Sequence, residues 1–182
     1  MPSPIGHALG GLAVVWTAQR RGNRRLILAA MILAALPDLD LLHPGWHRAV
    51  THSVGAVALV TIITAAVTGW VTGRVAWRVV LVCGAAWASH LLLDWLAADT
   101  FAPYGIRALW PFDDSWYISG LDIFRQTVRR HLFTTASLVE NAKAIAQEIA
   151  ILGPVVYALW LVRVKAPARL APKVTGRHHA AQ

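Results

Sequence analysis

Two apolar runs, residues 54–72 and 75–97, follow one another with only a Thr-Gly-Arg turn between them. Each is long enough to cross roughly 30 Å of hydrocarbon as a helix. Hydrocarbon offers no hydrogen-bond partners, so such runs must satisfy their backbone internally, as helices do. Shorter apolar segments lie at about 8–19 and 26–36, and another covers roughly 144–164. Apolar residues make up 57% of the chain and charged ones 14%, about half the charged content of an ordinary soluble domain. The expectation is an all-α, up-and-down membrane helix bundle of about five apolar helices, formed by residues 1–165. A long connection at 98–136 and a basic, disordered tail at 166–182 complete it.

Boundary signals support these cuts. Arg21-Gly-Asn23 separates the first pair of segments, and Pro37 is expected to end the second by pushing Leu36 out of helical geometry. Ser53 or Thr51 can cap the third helix. Ser137-Leu-Val-Glu140 has capping-box spacing, so the last helix is expected to begin there, with a kink at Gly153-Pro154. The N-terminus lacks a basic n-region, so no cleavable signal peptide is expected. The single cysteine, Cys83, lies within an apolar run and offers neither an internal disulfide nor a thiolate metal site.

Charge is distributed unevenly along this frame. Seven of the nine acidic residues lie between 38 and 122. If consecutive segments run antiparallel, His7, Asp38, Asp40, His47, His52, His90 and Asp94 all arrive at one end. Arg20, Arg21, Arg24, Arg25, Arg74 and the basic residues after 162 arrive at the other. The net charge of +8 is therefore read as flanking charge obeying the positive-inside rule rather than as a nucleic-acid surface. That rule puts the tail in the cytoplasm and the histidine–aspartate end on the outer face.

His90 and Asp94 are four residues apart and share one helix face. This spacing alone also fits a plain His–Asp hydrogen bond between helices, but an unpaired carboxylate in so apolar a setting would cost several kcal/mol. Asp38 and Asp40 are read as extended chain, which would point both carboxylates the same way. In His47-Arg-Ala-Val-Thr-His-Ser53, free amides at the start of the third helix could attract an anion such as phosphate. Arg48 could clamp that anion in bidentate fashion. His43 is read as a loop residue, and the aromatics of 109–117 as interfacial anchors or a pocket lining.

Gly6-His7, Leu36-Pro-Asp-Leu-Asp40, His47-Arg-x-x-Thr-His-Ser53, Ser89-His-x-x-x-Asp-Trp95, Pro103-x-Gly105 and Trp110-Pro-Phe112 together resemble the YdjM-type membrane-bound metal-dependent hydrolases. The chain is more distantly similar to the zinc-dependent phospholipase C and single-strand nuclease superfamily, although only His131 could stand for that group's later histidines. The resemblance implies a site of one or two divalent ions. Ligands of nitrogen and oxygen without sulfur suit zinc, with manganese as the alternative. His52, His90, Asp94 and one of Asp38 and Asp40 would hold one ion. His7 and the other aspartate would help hold a second.

The expected activity is hydrolysis of phosphoester bonds in a lipid-like or other phosphorylated substrate by a metal-activated water. Asp38 or Asp40 would be the general base and His47 the proton donor, with Arg48 binding substrate. The expected location is the inner membrane, in contact with lipid and crossed more than once, with no direct binding of nucleic acid. The competing reading is a non-catalytic membrane adaptor or scaffold whose metal is a structural clasp. The family's association with a transcriptional repressor makes that role conceivable.

Overall fold

The structure, a computed structural model, describes residues 1–19, 23–42, 47–129 and 131–166. The expected tail beyond Ala166, His43 and the arginines at 20 and 21 fall outside the described residues. Five α-helices make up the frame: α1 (Pro4–Ala18), α2 (Arg24–Ala35), α3 (Val54–Thr72), α4 (Trp77–Leu96) and α5 (Thr135–Trp160). Among the described residues there is no strand beyond two isolated bridges within the connection and its junction with α4. The expected all-α bundle is what forms.

Local chemistry sets most helix ends. Ser3 accepts the Gly6 amide at the start of α1, Asn23 that of Arg25 in α2, and Ser53 that of Ala56 in α3. Gly73 closes α3 in the left-handed conformation with φ 72°, a geometry in which a Cβ is penalised. The start of α5 differs from expectation. Thr134 is its cap and accepts the Ser137 amide; Glu140 pairs instead with Lys143 and Arg125. Pro154 lies inside this helix, which widens into a π-type turn at Leu161–Lys165.

A second departure lies after α2. Leu36 stays helical, with φ −64° and ψ −35°, and the chain tightens into a 3-10 helix over Leu36–Leu42. Proline is tolerated near the start of a helix, where its missing N–H is not needed. Pro37 therefore changes the winding rather than ending it.

Three helices are long and apolar enough to cross a membrane: Val54–Thr72, Trp77–Leu96 and the continuous Thr135–Lys165. At 15 and 12 residues, α1 and α2 are too short to do so unaided. They pack inside: α1 touches α2, α4 and α5, while α3 lies along α4. Small residues permit the closest approach. A Cβ on Gly11 would stand 2.5 Å from the Ala30 carbonyl oxygen of α2, so only glycine fits where these two helices meet. The outer faces of α3 and α5 expose Leu59, Ile62, Val67, Trp70, Val155 and Val162, a surface that suits hydrocarbon rather than water.

Residues 98–129 and 131–134 fold over the end of the bundle at which α2 and α4 finish. The connection presents carbonyls to the start of α3: Ala108 accepts the Val54 amide at 2.8 Å and Trp110 that of Gly55 at 3.0 Å. Near Ile106 and Tyr117 it pairs with itself.

Candidate metal centre

The alternation of helices brings residues far apart in sequence to one end. His7 lies in the first turns of α1, Asp38 in the 3-10 helix, His52 just before α3, and His90 and Asp94 on α4. All three imidazoles are fully buried. The rings of His7 and His90 stack at 3.7 Å with 20° between their planes. Asp94 lies 3.1 Å from His90 Nε2, 3.3 Å from His52 Nε2 and 3.4 Å from His7 Nε2. Asp38 approaches His7 and His52 at 3.8 and 3.9 Å.

Hydrogen bonds on the far sides of the rings set which nitrogens face inward. His90 Nδ1 is 2.7 Å from the Ala34 carbonyl; a carbonyl only accepts, so this nitrogen carries the proton. His52 Nδ1 is 3.1 Å from Asp40 Oδ2 and donates to it in the same way. The Nε2 atoms of His90 and His52 therefore present lone pairs to each other across 2.9 Å. Around them, both His7 nitrogens, Asp38 Oδ2 and both Asp94 oxygens are buried without a hydrogen-bond partner.

Buried polar atoms are nearly always paired, and a group of acceptors converging on one point calls for a positive charge there. A proton meets the need in part. Burial opposes charging His52, but Asp40 and Asp94 outweigh it and raise its pKa to about 9. One proton cannot serve every acceptor in the group; a cation can. Two overlapping sets, His7–Asp38–His90 and His52–His90–Asp94, place their ligand atoms within 4.8 Å of one another. These buried clusters have the donor chemistry and spacing to hold a metal ion.

Asp40 belongs to neither set. The reason is the winding of its segment. At three residues per turn, positions two apart point about 120° away from each other, so Asp38 faces the cluster and Asp40 faces its back. Asp40 there accepts His47 Nδ1 at 2.8 Å, the Arg48 amide at 3.0 Å, the Thr51 hydroxyl at 2.5 Å and His52 Nδ1. Burial opposes its charge, but the bonds from His47, His52 and Thr51 prevail and hold the carboxyl well below its ordinary range. A carboxylate so placed would orient His52 toward an ion held by the cluster. Asp40→Asn is expected to keep the ion but weaken its binding by roughly ten- to a hundredfold, measured by competition with a zinc chelator. Unchanged affinity would separate Asp40 from the site.

The other expectations around 47–53 divide. Ser53 caps α3, whereas the Thr51 hydroxyl goes to Asp40. The first amides of α3 are taken by Ala108, Trp110 and Ser53, so no anion-binding turn is left there. Arg48 is turned toward Asp99 and the Phe101 carbonyl, and its charge is met by that carboxylate. His131, exposed and with φ 52°, joins neither ligand set.

A family model described as YdjM inner membrane protein matches residues 1–168. The chain belongs to the YdjM inner membrane protein family. No curated protein and no solved structure matches it. The family description and the three long apolar helices agree that this YdjM protein resides in a membrane.

Two residues of this YdjM protein's site escaped the sequence reading. Arg129 Nη2 lies 3.1 Å from Asp38 Oδ1, and its Nη1 lies 3.1 Å from His47 Nε2. Nothing in its basic run, Arg125 to His131, marks it out. Glu148 is fully buried on α5 and accepts both the amide and the hydroxyl of Ser3, the cap of α1. It thereby fixes the turn that carries His7, whose amide donates to the Ser3 carbonyl. A lone carboxylate inside an apolar span was a legible signal.

Proposed function

We propose that this protein is a membrane-bound metal-dependent hydrolase acting on phosphoester bonds. The observation that carries the reading is the convergence of buried histidine nitrogens and carboxylate oxygens from four chain segments, those of His7, Asp38 and Asp94 without hydrogen-bond partners. The ligand set without sulfur favours zinc, then manganese, as one or two ions. When bound, such an ion lowers the pKa of water and polarises a phosphoryl oxygen.

The chain's own groups divide the remaining work. Asp40 is held by several donors and is a poor base. Asp38 receives Arg129 on one oxygen while its other oxygen has no hydrogen-bond partner, so Asp38 is assigned to take the proton of the attacking water, with the ion then resting on the His52–His90–Asp94 set. His47, half-buried beside a cavity of about 370 Å³, is assigned to protonate the leaving oxygen; Arg129 donates to its Nε2 in this structure, so the role requires that contact to open and Nε2 to take up a proton first. The basic ends of α2 and α5 lie opposite the site, so by the positive-inside rule the protein is multi-pass with its site on the outer face of the inner membrane.

The full burial of the three imidazoles favours a second reading, a closed structural clasp within a membrane adaptor. Turnover separates the two. Protein purified in detergent and loaded with zinc or manganese is expected to hydrolyse an activated phosphodiester or a phospholipid, and chelation should stop it. Asp38→Asn should lower the rate by about 10²–10⁴-fold, the usual contribution of a general base. Stoichiometric metal without turnover across phosphoester substrates would favour the clasp.

A further inference from the structure

We infer that Arg129 is the anion-recognition residue of this site and that its ligand is an amphiphilic organic phosphate whose alkyl chain lies in the adjoining cavity. The inference builds on the phosphoester reading and narrows its substrate class.

Elimination removes the other candidates for the anion contact. Arg48, only 9% exposed, is held by Asp99 and the Phe101 carbonyl, the Met1 ammonium donates to the Ala98 carbonyl, and the amides at the start of α3 are filled by protein carbonyls and the Ser53 hydroxyl. Arg129 is placed differently. Its side chain is 25% exposed and it touches the candidate base and the candidate proton donor at once. A guanidinium offers five N–H donors in a planar fork. With one directed to Asp38 and one to His47, donors remain for a phosphate seated beside the cluster.

The surroundings of Arg129 define the rest of the ligand. It lies at the boundary of two cavities, of about 370 and about 740 Å³. The smaller is the more polar and reaches His47. The larger reaches Asp38 and is walled by Ile32, Leu36, Leu132 and Ile145. Ile32 and Leu132 are exposed at its edge. A charged head on Arg129 thus meets the site, while an apolar chain has a wall to cover. A free phosphate ion would use the first feature and waste the second.

Binding of inorganic, butyl, hexyl and octyl phosphate to the full chain in nanodiscs, followed by calorimetry, tests this directly. Affinity is expected to rise along the alkyl series, at most roughly fourfold per methylene where burial is complete. Arg129→Gln should weaken every organic phosphate by about tenfold or more with metal content unchanged. Ile145→Trp, which fills the cavity, should flatten the chain-length dependence and leave inorganic phosphate as it was. Chain-length-independent affinity, or equal binding by wild type and Arg129→Gln, would overturn the inference. Its fate is separable from that of the hydrolase reading. Metal-dependent turnover with an unchanged KM in Arg129→Gln would sink the inference alone. Arg129-dependent, chain-length-dependent binding to a protein that holds no metal would sink only the hydrolase.

Discussion

Asp94→Ala is expected to empty the metal centre. In the wild type, elemental analysis of detergent-purified protein should return stoichiometric zinc or manganese, and in the variant only background. The reasoning is geometric. Asp94 is the carboxylate that approaches all three imidazoles, at 3.1 to 3.4 Å, and it is buried on α4 with both oxygens free of hydrogen bonds. Its removal takes away a ligand and the negative charge that makes a dication tolerable there. Stability gives a second readout. An ion bound to the folded state alone adds roughly 4 kcal/mol when present at a thousand times its Kd. Added zinc should therefore raise the melting temperature of the wild type and leave that of Asp94→Ala where it was. Equal metal in both proteins would mean that the cluster is not the site. No metal in either, even after loading, would leave the histidines and aspartates as a proton-sharing network and favour a scaffold.

Gly11→Val is expected to be strongly damaging although it lies outside the cluster. A Cβ at this position would lie 2.5 Å from the Ala30 carbonyl oxygen and 2.9 Å from the Ala34 Cβ, and neither partner can rotate away. Overpacking of this kind typically costs about 1–3 kcal/mol, a fall of roughly 2–12 °C in a domain of this size. The effect should reach the metal as well. To relieve the clash α2 must move off α1, and α2 carries the Ala34 carbonyl that orients His90 and leads directly into Asp38. Gly69→Ala is the matched control, because its Cβ would meet only Val75 at an ordinary 3.7 Å. A Gly11→Val protein that melts with the wild type and binds zinc equally well would show that α1 and α2 are not in the close contact described.

Which parts of this protein were legible in its sequence follows from the range of the forces involved. Hydrophobic length and flanking charge act along the chain, so the helices, their alternation and the end at which His7, Asp38, His52, His90 and Asp94 meet could be read directly. Capping was less reliable. Ser137 and Glu140 had the right spacing, yet Thr134 three residues earlier is the cap, since either hydroxyl could serve and packing of the connection decides between them. The pairing of Asp38 with Asp40 failed for a similar reason. Sequence spacing specifies a direction only once the winding is known, and a 3-10 helix turns two apparently equivalent aspartates into a ligand candidate and an orienting acceptor. Arg129 was out of reach because its partners are 91 and 82 residues away and no local pattern encodes that distance. Glu148 was not out of reach: the one carboxylate within the apolar stretch 144–164 announces a buried partner, and that partner is Ser3.

The placement of α1 also bears on how the protein is made. A chain emerges from its N-terminus, and His7 is delivered long before His90 and Asp94. Until α4 has entered the bilayer and packed against α1, the imidazole of His7 and the carboxylate of Asp38 have no partners to close around. The cluster of histidines and aspartates therefore closes only after α4 has packed, and an ion could be captured there only as a last step of maturation.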